Sequence, residues 1–154
     1  MSTRSGADRG SLPDGRGKRV AIVSARFYGA LAEQLEDGAR RGLAACGVAP
    51  EDVSEFAVPG CFELPLAAKR AIARGPFDAV VALGVVIRGE TPHFDFVAGE
   101  CARGLMEVQL AAGVPIGFGV LTTDTLAQAE VRAGAAGGDK GFEAALAALA
   151  VAAI

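Results

Sequence analysis

From Ala79 to Ile87 the chain reads AVVALGVVI, an unbroken apolar run bounded by Asp78 and Arg88. Such a Val-rich run without polar alternation predicts a strand buried on both faces of a parallel sheet. Arg88-Gly89-Glu90-Thr91-Pro92 then breaks the pattern. Beyond it, Phe94, Val97, Cys101, Leu105 and Val108 recur on one stripe at helical spacing. Thr91 reads as the N-cap of that helix and Pro92 as its first residue. Shorter apolar runs predict three more strands, at Arg19 to Ser24, Val53 to Val58 and Ile116 to Leu121. Leu31, Leu35, Ala39, Leu43 and Cys46 step by three or four, a helix closed by Gly47. A second helix follows Pro59-Gly60-Cys61-Phe62-Glu63-Leu64-Pro65 and ends before Gly75-Pro76, while Gly113-Val114-Pro115 stops the central one. Thr125 and Gln128 form a capping box for a short helix to Ala133, and Phe142 to Ile154 reads as a last helix after a Gly-rich loop. Strands alternating with helices imply right-handed βαβ units. The expected fold is α/β, a flavodoxin-like three-layer sandwich on a four-stranded parallel sheet.

Composition narrows the picture. Residues 1–18 are mostly Gly, Ser, Arg and Asp, which predicts a disordered N-terminal tail ahead of one domain at 19–154. An Arg/Ser-rich targeting peptide is the competing reading, disfavoured by Asp8, Asp14 and the lack of an amphipathic pattern. The tail carries +2, so the net −3 of the chain leaves −5 on the rest. An acidic body argues against sequence-independent nucleic-acid binding. No apolar tract reaches the roughly 20 residues of a membrane span. Three well-separated cysteines and a single histidine cannot complete a zinc set, and they fit reduced thiols in the cytoplasm. Mean hydropathy is +0.36, high for so short a chain. That value, and a C-terminal segment (FEAALAALAVAAI) that is apolar almost all round, predict apolar surface buried between subunits.

Chemistry is expected where three strand exits share one sheet edge: Ala25 to Tyr28, Pro59 to Leu64 and Arg88 to His93. His93 falls at a helix N-terminus, whose positive potential favours neutral imidazole, a competent proton acceptor. Glu63 reads equally well as a carboxylate complementing a helix dipole or as an acceptor for ligand hydroxyls. Phe27, Phe62 and Phe118 lie at or near strand ends, where a flat ring can stack on a heterocycle, although core packing is the commoner fate of phenylalanine. Gly117 and Gly119 leave one sheet face open, so something bulky is expected to approach it. Arg132 and Lys140 bracket the Gly-rich loop as an anion site or as solvated cations; composition alone favours the latter. Cys61 and Cys101 read as small buried hydrophobes. Neither a dinucleotide fingerprint nor a phosphate-binding loop with its Lys-Ser/Thr is present.

Four segments in order, PGCFELP (59–65), GVVIRGETPHFDFV (84–97), GVPIGFGVLTTDT (113–125) and RAG…DKG (132–141), resemble the 6,7-dimethyl-8-ribityllumazine synthase family of riboflavin biosynthesis. The resemblance runs from Arg19 to Ile154. It implies condensation of 5-amino-6-(D-ribitylamino)uracil with 3,4-dihydroxy-2-butanone 4-phosphate, without a cofactor or a metal. Carried over by position, Phe27 stacks on the pyrimidine, and Cys61, Phe62 and Glu63 hold its ribityl chain and ring. Val85, Val86 and Ile87 read its edges through backbone groups. Glu90 and Thr91 lie against the butanone phosphate, and His93 transfers protons. Phe118, Arg132 and Lys140 come from a neighbouring subunit, with Arg132 on the phosphate. The implied assembly is a homopentamer, and the loop from Arg132 to Lys140 lacks the insertion expected of members that stop there, which points to an icosahedral shell of sixty subunits. Tyr28 stands where Asn often follows the stacking aromatic, and Cys61 where Ala is common. Asp139 replaces the common Asn and is expected to pair with Lys140. The competing readings are a non-catalytic flavin or lumazine binder and a purely shell-forming homologue; both fit poorly with retention of His93 and Arg132.

Overall fold

The computed structural model describes residues 11–154. At the centre of the sheet lies β3 (Ala79–Ile87), with eight of its nine residues buried. It pairs with β1 (Val20–Ala25) on one side and β4 (Ile116–Thr123) on the other. β2 (Val53–Val58) joins the outer edge of β1, giving the order β2-β1-β3-β4 with every pairing parallel. Side chains alternate between two cores, as the pleat demands. Val20, Ile22, Val81 and Leu83 face one core, shared with α1 (Gly29–Ala45), α4 (Leu126–Ala133) and α5 (Lys140–Ala152). Ala21, Val23, Val80 and Ala82 face the other, shared with α2 (Leu64–Ala73) and α3 (His93–Ala112). The result is the three-layer α/β sandwich expected from the hydrophobic pattern. Among the described residues no helix is long and apolar enough to cross a membrane.

The elements depart from expectation mainly at their ends. β4 runs two residues past Leu121 because Thr122 and Thr123 stay in register with Val86 and Ile87. The Thr123 hydroxyl donates to the Thr125 carbonyl at 2.9 Å. Thr125 then caps α4 as predicted: its Oγ1 accepts the Gln128 N–H at 3.1 Å, and Gln128 Oε1 accepts the Thr125 N–H at 3.2 Å. α3 starts at His93, one residue later than expected, because Pro92 (φ −70°, ψ 6°) completes a turn and sits in the cap position itself. Thr91 Oγ1 accepts the His93 N–H only at a long 3.4 Å. Of the expected tail, residues 1–10 lie outside the described residues. From Ser11 on the chain runs along the body: Leu12 packs against the α1/α5 core, and the Gly15 N–H donates to the Cys46 carbonyl at 2.7 Å.

What approaches the open face of β4 is α5. A Cβ on Gly117 would collide with the Ala144 carbonyl, and one on Gly119 would lie 2.6 Å from Leu83 and 3.1 Å from Ala144. The far side of α5 meets α1 just as closely. A Cβ on Gly42 would come within 3.0 Å of both Ala145 and the Phe142 carbonyl, and one on Gly141 would strike the Leu35 carbonyl. Ala144, Ala145, Ala148 and Leu149 are thereby buried within this chain, so part of the all-round apolar character of α5 is used internally. Val151 and Ile154 remain exposed.

This packing makes Gly117 and Gly29 diverge as mutation sites, because nothing lies within 4 Å of a Cβ on Gly29. Gly117→Ala forces α5 off the sheet and is expected to cost about 1–3 kcal/mol, the usual range for overpacking. Gly29→Ala is expected to be neutral or slightly stabilising. Urea midpoints check the pair, and equal midpoints would refute the packing argument.

Candidate active site

Parallel strands put all their C-terminal ends at one sheet edge. There the exits 25–28, 59–63 and 88–93 enclose a cleft of about 580 Å³. Its floor follows from strand lengths. β1 pairs with β3 only as far as Ser24 and Leu83, whereas β3 continues to Ile87 beside β4. One backbone edge of 84–87 therefore has no strand neighbour, and Val85, Val86 and Ile87 line the cleft along it. Backbone groups left free in this way can read the edge of a planar heterocycle.

Cys61 wedges under this floor. A Cβ on Gly84 would lie 2.5 Å from Cys61 Sγ, so only glycine leaves room for the sulfur. That sulfur accepts the Val85 N–H and the thiol of Cys101. The neighbouring sulfur and burial hold the Cys101 thiol far above the ordinary cysteine range, which makes it inert as a nucleophile. Both cysteines are free and buried, in line with the hydrophobe reading.

The walls are aromatic and unusually open. Phe27 is 74% exposed, Phe62 62% and Phe96 68%, so these rings are not core residues. Tyr28 meets Phe27 edge to face, with centroids 5.0 Å apart and planes at 72°. Such contacts contribute about 0.5–1.5 kcal/mol beyond area burial and restrict the Phe27 ring. The strand end beneath is fastened by buried Glu36 of α1. Its Oε2 accepts the Ser24 hydroxyl at 2.5 Å, and Arg26 lies 3.5 Å away. Tyr28, Phe96 and Val97 line the cleft although the sequence reading assigned them no role there. For Phe96 and Val97 the signal was available: they lie three and four residues after His93, on its side of the helix.

His93 opens α3, and twenty residues of aligned peptide dipoles place the positive end of that helix at the cleft. Glu63 is already half engaged. Its Oε1 accepts the Gly60 N–H at 3.0 Å, leaving the other oxygen for a ligand. Glu90 and Thr91 sit exposed in the turn between β3 and α3 and do not line the cleft in the single chain.

Phe118, Arg132 and Lys140 stand apart from the cleft. Phe118 is 48% exposed on β4, the edge strand remote from β1. The Arg132 guanidinium donates to the Gln128 carbonyl at 2.9 Å, and Lys140 Nζ bonds Glu143 at 2.9 Å. The expected Asp139–Lys140 pair does not form. Gly38 of α1 has no side chain, so the Asp139 carboxylate lies against it and takes both branches of the Arg41 fork at 2.9 Å. A larger groove of about 700 Å³ runs between α2 and α3. Its central cation, Arg103, is already paired with Glu100 and Glu107, and no strand end opens into it.

A backbone-lined floor, exposed aromatic walls and a lone histidine at a helix N-terminus can receive a flat polar ring and support a proton transfer. The family model for 6,7-dimethyl-8-ribityllumazine synthase matches residues 17–154. The protein of that name from Gemmatimonas aurantiaca is 52% identical over 139 residues, covering 90% of this chain and 85% of its own. Its namesake from Kineococcus radiotolerans is 58% identical over 138 residues, 88% of this chain and 84% of its own. With the match spanning both faces of the sheet and every turn around the cleft, this chain belongs to the 6,7-dimethyl-8-ribityllumazine synthase family.

Proposed function

We propose that this chain condenses 5-amino-6-(D-ribitylamino)uracil with 3,4-dihydroxy-2-butanone 4-phosphate to give 6,7-dimethyl-8-ribityllumazine, phosphate and water, the penultimate step of riboflavin biosynthesis. The observation that carries this reading is the unpaired backbone edge of β3 facing the exposed ring of Phe27 across one cleft. The pyrimidine stacks on Phe27 while the backbone at Val85, Val86 and Ile87 reads its heteroatoms. Cys61, through its backbone, with Phe62 and the free oxygen of Glu63, holds the ring and the ribityl hydroxyls. The butanone phosphate lies toward Glu90, Thr91 and the positive end of α3. The pyrimidine 5-amine adds to the ketone and one water leaves as the imine forms. Phosphate is then eliminated, and the ribitylamine closes the ring on the carbonyl so exposed, with loss of a second water. His93 moves protons in these steps. The three cysteines are free thiols, which supports a reducing, cytoplasmic setting.

Arg132, Lys140 and Phe118 complete the site from a neighbouring subunit. Their distance from the cleft within one chain supports this, as do exposed Phe96, Met106 and Leu110 along α3, which need a covering surface. The chain assembles into rings of five, and twelve rings close into a shell of sixty.

Lumazine absorbance and fluorescence after mixing the two substrates with protein test the reaction, and no product would refute it. His93→Ala should slow turnover without abolishing it. Proton transfer contributes about 10²–10⁴-fold, whereas alignment of two reactants can supply about 7–11 kcal/mol. Complete loss in a folded, ligand-binding variant would reverse that ranking.

Arg132→Lys should raise KM for the butanone phosphate and leave pyrimidine affinity nearly unchanged, because Lys cannot reproduce a two-bond guanidinium grip. Equal losses for both substrates would contradict a phosphate-specific role.

The assembly is checked by light scattering and by mixing. A His93→Ala chain and an Arg132→Ala chain, unfolded together and refolded as mixed rings, should regain activity. At equal amounts about a quarter of interfaces then join an intact His93 to an intact Arg132. No gain in proven mixed rings would place both residues on one chain.

A further inference from the structure

The turn that carries His93 is held weakly by its own backbone. Among the described residues, neither Gly89 nor Glu90 makes a backbone hydrogen bond, and 89–93 are all exposed. The fastening comes from Arg88. Its N–H donates to the Thr123 carbonyl at 2.9 Å. Its Nε donates to Asp124 Oδ1 at 2.9 Å and its Nη1 to Asp95 Oδ1 at 3.4 Å. The guanidinium lies 4.4 Å from the ring centroid of Phe94. Asp124 immediately follows β4, while Asp95 and Phe94 belong to the first turn of α3. One side chain thus ties the ends of β3 and β4 to the helix turn that begins at His93.

We propose that Arg88 is a positioning residue for the condensation: it locks the turn at 89–92 so that the His93 imidazole addresses the cleft in a single geometry. It acts through His93 and does not touch substrate, so the inference rests on the proton-transfer role given to His93 above. Exposed ion pairs add little to global stability, so the effect falls on geometry. A misplacement of about 1 Å at a reacting group can cost about 10²-fold in rate. Arginine is required because its planar fork spans two carboxylates while its face lies on Phe94, and an ammonium cannot do both.

The test compares kcat and both KM values for the assembled enzyme and its variants. Arg88→Ala is expected to lower kcat about 10–100-fold while leaving KM for the pyrimidine within about twofold. Arg88→Lys is expected to keep most of that loss. In a His93→Ala background, Arg88→Ala should cost less than about threefold, because the group it positions is gone. Where Arg88→Ala fails to assemble, Asp124→Asn is read in its place: it removes one anchor, keeps the arginine on Phe94, and should lower kcat in the same background-dependent way. An equal fold-loss with and without His93, full activity in Arg88→Lys, or a matching rise in pyrimidine KM would each overturn the role. Turnover by the unmodified enzyme bears on the proposed function; the ratios between variants bear on Arg88 alone.

Discussion

Burying β3 on both faces requires a helix layer above and below, and parallel crossovers are what deliver them. That arrangement sends every strand toward the same edge and leaves each exit turn there, beside the N-terminus of the helix that follows. The cleft needs one further condition, a difference in strand length. β1 stops pairing at Leu83 and turns away at Arg26, while β3 continues to Ile87 under the protection of β4. The unpaired edge would be a liability in a core. At the mouth of a cleft, the backbone groups of that edge other than the Val85 N–H, which Cys61 takes, can serve as recognition elements without any polar side chain.

The layers come close enough because small residues meet at their contacts. Gly117 and Gly119 bring α5 onto β4, Gly38 and Gly42 bring α1 onto α5, and Gly84 admits the Cys61 sulfur. Each glycine sacrifices local propensity, and the return is close backbone approach and dense packing. Gly84 links this packing to the site. The sulfur it accommodates also takes the Val85 N–H, one step along the cleft floor.

The strands and helices were legible because their periods differ and because Gly, Pro and a capping box punctuate them. Boundaries failed where local signals carry two meanings. Pro92 suits either the end of a turn or the first position of a helix, and the chain uses it as the cap. Of the site, Phe27, Phe62, Glu63 and His93 at the three exits were legible as a constellation once the sheet was read as parallel, whereas Cys61, Glu90 and Thr91 entered only with the family resemblance. Phe96 carried a signal in its spacing, three residues after His93, but the apolar stripe through Phe94 and Val97 drew the reading to the buried side of the helix. Asp139 was misassigned because its partner, Arg41, lies 98 positions away, beyond any local pattern. Arg132 and Lys140 had no signal of their own, since a ligand cation and a solvated cation look alike in sequence. Only the family resemblance puts them forward for the site.

The charge distribution around the cleft carries the argument a step further. The basic side chain nearest the proposed phosphate position in sequence is Arg88, and it is occupied by Asp95 and Asp124. Glu63 and Glu90 add negative charge at the same end. Within one chain, the positive end of α3 is therefore the main attraction for a phosphate, and a helix terminus contributes only about 0.3–1 kcal/mol at an exposed position. A phosphorylated substrate needs a stronger anchor. Among the described residues Arg132 bonds only the Gln128 carbonyl and meets no carboxylate, and the rings of Phe27 and Phe96 still face solvent. In the assembly proposed above, a second copy supplies Arg132 and covers those rings, answering both deficits with one contact; that proposal would tie the capacity to bind phosphate to assembly.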